Sequence, residues 1–511
     1  MPVNKIDSNL TGLAIAEELD LRVLPGTPVW YAREPNSYDD LGGEITTVAR
    51  DPINPSRQRR KGSITDLDAT GGFNEDFTAN NMRRILQGFF FADTREKATT
   101  TPLNTAAVPL TSVAASGVYN AASGLGNFKV GMLVRATGFT NAANNGIGVL
   151  SAATATSITS SLATVVEASP PAAARIKAIG MQFASGAAAI TISAGIFTLT
   201  ATGVDFTTMG LNVGDWVYIG GDTLVTQFSA TERGYARIRS IVSATVLTFD
   251  KATWTVAANT GAAKTIQMFF GDFLRNEDNP ALIKRRSYQL ERQLGVNIDV
   301  GSLQQAEYVE GAIPNELTLN LPQADKLNID LSFIGMTTTY RDSVAGPKSG
   351  TRVAALGESA FNTSSDIFRI RLSTVDPANL SPVALVGYIS ELTLTVNNNV
   401  SASKAVGVLG AFDATAGTFE VGGDLTAYFT QVAAINSVRS NADVTIDAII
   451  ARNNAGMVFD VPLLGLGGGK LNVEKDAPIN LPLETAAAQS AANYTLGFTF
   501  FEYLPTVAMP T

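Results

Sequence analysis

The chain has 511 residues, 45% of them hydrophobic and only 16% charged, with a formal net charge of −9 and neither cysteine nor histidine. That length supports more than one domain at ~100–200 residues each, and the composition argues against wholesale disorder. The two missing residue types exclude a disulfide framework, Cys- or His-ligated metals, a Ser-His-Asp triad and an imidazole base, while an acidic chain does not wrap nucleic acid through counterion release.

The first segment, MPVNKIDSNLTG, has no apolar core of the signal-peptide kind. Next, Arg57, Arg59, Arg60 and Lys61 form a basic cluster without interleaved aromatics, which predicts a solvated surface or contact with an acidic neighbouring subunit rather than a nucleic-acid patch. From Ile64 to Ala92 an Asp-Ala-Thr turn at Asp68 and a short segment with Phe73 lead into a helix. Its apolar face is carried by Phe77, Met82, Ile85, Leu86 and Phe89. "DLDATGG" from Asp66 lacks the acidic twelfth residue of a calcium loop, since Phe77 stands there.

Between Ala98 and Lys264 there are nine basic residues against six acids, which leaves the remainder of the chain at −12. The same segment is thick with Ala, Thr and Ser, and this shift marks an insertion. Within it, "NFKVGMLVRATG" from Asn127 is echoed by "GLNVGDWVYIGG" from Gly210. Each is followed by a Gly turn, a strand, a Ser-Ala-Thr link and a further strand. Two small β-modules of similar design are predicted. The charge-free run Gln182–Val204 is broken by Ser, Thr and Gly and alternates like a strand, so a membrane span is not expected.

After the insertion come Lys284, Arg285 and Arg286, again read as surface or subunit contact, and the strand Ser287–Gly295. From Asn315 to Asp342, Leu317, Leu319 and Leu321 alternate with polar residues. A Pro-Gln-Ala-Asp-Lys link follows, and Leu327, Ile329, Leu331 and Phe333 alternate again. This is a hairpin with one apolar face. A further strand spans Ile389–Ser403. "LGAFDATAGTFEVGGDLTAYFTQVAAINSV" from Leu409 then repeats the earlier pattern: an Asp-Ala-Thr turn at Asp413, Phe419, and a helix capped by Asp424 with Leu425, Tyr428, Phe429, Val432 and Ile435 on its apolar face. Asp443–Gly467 is a hairpin turning at Arg-Asn-Asn-Ala-Gly, Lys470–Leu483 an extended loop, and Asn493–Pro505 a closing aromatic strand.

"GLGGGK" (Gly465–Lys470) misses the phosphate-loop pattern, because Leu464 and Leu471 occupy required positions. The adjacent acids Glu277 and Asp278 have no accompanying groups that would make a site. No residue is assigned a catalytic, cofactor-binding or metal-ligating role, and an enzyme is not expected.

Three stretches, Arg57–Thr78, Phe273–Gly295 and Pro314–Met336, resemble the tail tube (major tail) proteins of long-tailed bacteriophages with non-contractile tails, as does "VTIDAIIARNNAGMVFDVPLLGLGGGKLNV". The resemblance covers roughly 1–97 and 265 to the end. It implies a mainly β fold of sandwich or barrel tube domains, each with a packed helix, and the Asp-Ala-Thr pattern that recurs at Asp68 and Asp413 argues that this domain is duplicated within the chain. Residues 1–97 would form the first part of the body, 98–264 an external decoration, and 265–511 the remainder with the second copy. It further implies a structural virion protein made in the host cytoplasm that stacks as rings into the tail tube, a conduit for DNA ejection. The implied partners are further copies of itself, the tape measure, tail terminator and tail tip proteins, and passing double-stranded DNA without specific binding, with no membrane and no cofactor. Rings in that family are commonly built from six tube domains, so three duplicated chains would imitate sixfold symmetry, against an ordinary ring of six single-domain chains. Two other readings stand beside it: another structural phage component, such as a decoration or baseplate hub protein, and a virion-surface glycan-binding protein.

Overall fold

The computed structural model describes residues 11–51, 53, 55, 58, 60–295, 304–342, 344–376, 379–382 and 384–510. The chain is mainly β, and two α-helices, α1 (Met82–Phe90) and α2 (Ala433–Arg439), occur among the described residues. It divides into two compact units. The first is Met1–Ala92, Ala281–Thr363 and Ser390–Thr426; the second is Asp93–Pro280, Ser364–Ile389 and Ala427–Thr511.

In the first unit the sixteen-residue strand Ala306–Leu321 serves two sheets. Its first half pairs antiparallel with Tyr288–Gln293 and Thr337–Arg341. Its second half pairs with Asn328–Gly335 and Ile389–Asn397. The change of direction falls at Gly311, whose φ is +65° and where a Cβ would lie 2.5 Å from Met336 Cγ. The expected hairpin is present, with Leu317 opposite Leu331 and Leu319 opposite Ile329, all four buried. Strand Arg60–Asp76 extends this sheet by pairing with Asn328–Gly335. Helix α1 seals the core: Phe89 meets Phe333 edge-on at 5.2 Å. Gly88 allows that approach, since a Cβ there would sit 2.6 Å from Tyr288 Oη.

In the second unit, Val444–Arg452 and Ala455–Gly468 form the C-terminal hairpin, turning at Asn453 and Asn454, both with positive φ. Paired left-handed Asn residues suit the right-handed twist of the strands. Ile367–Thr374 and Gly497–Phe501 flank the hairpin on its two sides. Strand Val444–Arg452 is buried on both faces, because a twelve-stranded antiparallel sheet from residues 110–270 covers one of them. That sheet carries the internal echo in its topology. Leu110–Ala114, Val118–Ala121, Met132–Thr137, Gly146–Ala153, Ser157–Ser160 and Arg175–Gln182 lie in the spatial order first-second-fifth-fourth-third-sixth. Ala188–Ser193, Ile196–Ala201, Trp216–Ile219, Gly234–Ser243, Val246–Ala252 and Gln267–Phe270 repeat that order, and the two modules join through their sixth strands. The charge-free run is thus a hairpin of the second module, and no helix among the described residues is long and apolar enough to cross a membrane.

Several expectations are corrected. Asp68–Thr70 and Asp413–Thr415 lie in strands Arg60–Asp76 and Ala411–Thr415, not in turns, and both belong to the first unit. Glu420–Tyr428 is a strand with Val421, Leu425 and Ala427 buried at period two. The Asp424 amide donates to Thr393 Oγ1 at 3.0 Å instead of opening a helix. Helix α2 begins only at Ala433 and buries Ala434 and Ser437, leaving Val432 exposed. Part of the expected loop Lys470–Leu483 is strand, since Asn480–Ala487 pairs with the end of Ala455–Gly468. The segment 98–264 packs on the rest of the second unit. Its Trp216, Tyr218 and Tyr235 pack on Ile449, Val458 and Phe501. Its Lys251 and Arg237 pair with the buried Asp447 and Asp460.

Candidate assembly surface

The residues singled out for chemistry are taken up by packing. Arg286 is buried and donates from Nη1 to the carbonyls of Gln87 (3.3 Å) and Ala92 (3.0 Å) at the end of α1, with Nε on Glu17. Arg285 donates to the Ala414 carbonyl at 2.6 Å and pairs with Asp413. Arg286 thus serves the interior of the first unit rather than a subunit contact, while Lys284 and Arg285 stay exposed. Glu277 is not solvated either: Arg95 chelates it with bonds of 2.7–3.0 Å, and its side chain is 4% exposed. Gly465–Gly468 end a strand, so "GLGGGK" is no phosphate cradle. Asp66 and Asp68 share Lys404. No group of three metal-ligating side chains occurs among the described residues. Trp30, Trp216 and Trp254 are all buried, so none offers a sugar-stacking platform. In the other basic cluster Arg60 and Lys61 are exposed, while Arg57 and Arg59 lie outside the described residues.

What the first unit does present is a polar sheet face. Opposite its apolar side chains, the strands carry Asn74, Glu316, Thr318, Asn320, Asp330, Thr393 and Thr395. These are cross-linked sideways: Asn74 Nδ2 donates to Asn328 (3.1 Å) and Asp330 (2.6 Å), Asn320 Nδ2 to Asp330 (2.7 Å), and Thr318 meets Thr395 at 3.2 Å. A concavity of about 210 Å³ on this face is bordered by Asp39, Asp40, Glu316 and Asp330, with no basic residue among the described residues of its lining. Lys326, paired with Asp76 at 2.6 Å, stands at the end of the hairpin. A face of this kind repels phosphate, with a reach of ~8 Å at physiological salt.

Two ribbons extend from the same unit. Among the described residues Gly42–Arg50 pairs with Arg60–Asp76 alone; it is exposed from Glu44 onward, with Ile45, Val48 and Ile64 open to solvent. Ser401–Lys404 pairs with Ala411–Thr415. Ala411 and Ala414 are buried against Met336 and Phe91, and Val406, Leu409 and Phe412 are exposed. An open edge strand and exposed apolar ribbons are templates for another chain. The alternation of the hairpins was a signal for the polar face; the ribbons had no periodic signal of their own.

The sequence model of the family described as phage tail tube protein matches residues 200–487, more than half of the chain. The chain belongs to the phage tail tube protein family. No curated protein matches it. Membership makes it a structural protein of the virion tail and agrees with the β-rich fold. The match begins at residue 200, so it takes in the second module of the segment that composition set apart.

Proposed function

We propose that the chain polymerises as stacked rings into the tail tube of a phage with a non-contractile tail, forming the conduit for DNA ejection without performing catalysis. The observation that carries this reading is the polar, acidic sheet face of the first unit, which contrasts with the apolar side chains one residue away along each strand. Turned toward a lumen, such a wall lets DNA slide without adhering. The open ribbons supply the edges that ring closure and stacking would cover. On this reading the tape measure, terminator and tip proteins are the tail partners, three chains complete a ring, and the twelve-stranded sheet decorates the outside. Negative-stain microscopy of the purified protein tests it: stacked rings or tubes are expected, and discrete monomers with glycan affinity would overturn it. In a reconstruction of the tube, a lumen dominated by Arg and Lys would overturn the assignment of the wall.

A further inference from the structure

A small cavity of about 160 Å³ in the first unit has an unbalanced wall, with Arg33, Glu34, Glu75, Asp76, Thr78 and Glu358 around it. Arg33 is already spent on Glu75: its Nε lies 3.1 Å from Oε2, and both side chains are almost fully buried. Asp76 shares Lys326, and Glu358 accepts from the Asn80 amide at 2.8 Å, whereas Glu34 is exposed and makes no ion pair among the described residues. Thr78 is 5% exposed, yet its hydroxyl has no hydrogen-bond partner among the described residues. An orphaned buried hydroxyl is unfavourable, so a donor entering the cavity would relieve that cost. These carboxylates do not converge as metal ligands do, which favours a long side chain carrying a cationic donor at its end.

The same chain carries such side chains unpaired. Arg50, Arg60 and Lys61, at the outer end of the ribbon Gly42–Arg50/Arg60–Asp76, are exposed and form no ion pair among the described residues. They are a cationic cluster on a chain of net charge −9. We infer that the cavity receives a lysine or arginine from the ribbon end of a second copy, locking neighbouring copies together. This rests on the tube reading and names one contact within it.

The absence of cysteine makes the test direct. Glu34→Cys and Lys61→Cys are prepared as separate single variants, mixed, assembled and oxidised mildly. A disulfide-linked dimer containing one chain of each kind is expected from the mixture and not from either variant alone. Tubes that form without the mixed dimer overturn the inference and leave the tube reading standing. A wild-type protein that never forms tubes removes that reading and the inference together. Charge reversal guards against a variant that misfolds. Glu34→Lys and Lys61→Glu, each with unchanged circular dichroism, should raise the protein concentration needed for assembly on the order of tenfold, about one interfacial charge pair, and the double variant should restore most of it. Reversals that leave assembly unchanged also overturn the inference.

Discussion

Asp447 sits without solvent access between Lys251 and Arg369, the latter at 2.8 Å, at the meeting of the C-terminal hairpin with the twelve-stranded sheet. Burial alone would raise its carboxyl, but the two cations outweigh it and hold the group below the ordinary 3.8. Replacing it by Asn leaves buried cations uncompensated, and a loss of about 3–5 kcal/mol is expected in urea unfolding monitored for the second unit. The sign of the pH dependence follows. A carboxyl lowered in the fold contributes fully above its unfolded value and loses that contribution as pH falls through the folded one. The gap between wild type and Asp447→Asn should therefore narrow below about pH 4; a gap that widens there would contradict the ion-pair account. In the first unit, Phe333 is fully buried, stacked near Phe73 at 6.1 Å and edge-on to Phe89 and Tyr288. In thermal scans Phe333→Ala should cost about 3–5 kcal/mol, with Phe333→Leu well below that.

Helix α1 ends in a left-handed Phe91, whose amide and that of Ala92 return to the carbonyls of Gly88 and Gln87. Arg286 then donates to the carbonyls of Gln87 and Ala92. Arg286→Ala should speed amide exchange over Leu86–Ala92 more than in the hairpin Ala306–Gly335, with a loss of about 1.5–3 kcal/mol for hydrogen bonds from a charged group. Nothing in "LIKRRS" announces this role, because the helix end it serves is almost two hundred residues away. Where one face of an element is buried and its partner is close, the sequence was readable: the alternating leucines around Pro322 and the Asn453–Asn454 turn stand as expected. Where pairing is remote, it was not. Glu420–Tyr428 follows the same spacing rules for helix or strand over so few apolar residues, and its partner Ile389–Asn397 decides the outcome. The hairpin strand Val444–Arg452 is buried almost throughout because it is covered on both faces, but its sequence does not say by what. The polar face of the first unit was implicit in the alternation; the cavity beside Glu34 was not, since its lining comes from three separate stretches of chain.

At the scale of the whole molecule the twelve-stranded sheet and the ring size are linked questions. Deleting 98–264 would strip Ile449, Val458 and Phe501 of their cover and leave Asp447 and Asp460 without Lys251 and Arg237. Loss of soluble protein is therefore expected from that deletion, read by expression and sedimentation, while an external position for the sheet in the tube stays compatible with it. The Asp-Ala-Thr echo no longer argues for duplication, because both copies fall in the first unit. The stronger argument is architectural. Each unit has a central antiparallel hairpin flanked by a strand on both sides, Asn328–Gly335 with Ala306–Leu321 in one and Val444–Arg452 with Ala455–Gly468 in the other, and each has one α-helix among the described residues. If a ring needs six such elements, two per chain bring closure at three chains, and threefold symmetry would imitate sixfold. The flanking β-modules, present in the second unit alone, would then break the imitation by appearing three times around the tube. Mass measurement of a single ring, with a symmetry-free reconstruction of the tube, checks both expectations at once. Three chains and three sheet projections per ring are expected, whereas six chains would mean that one unit alone, or neither, acts as a tube domain.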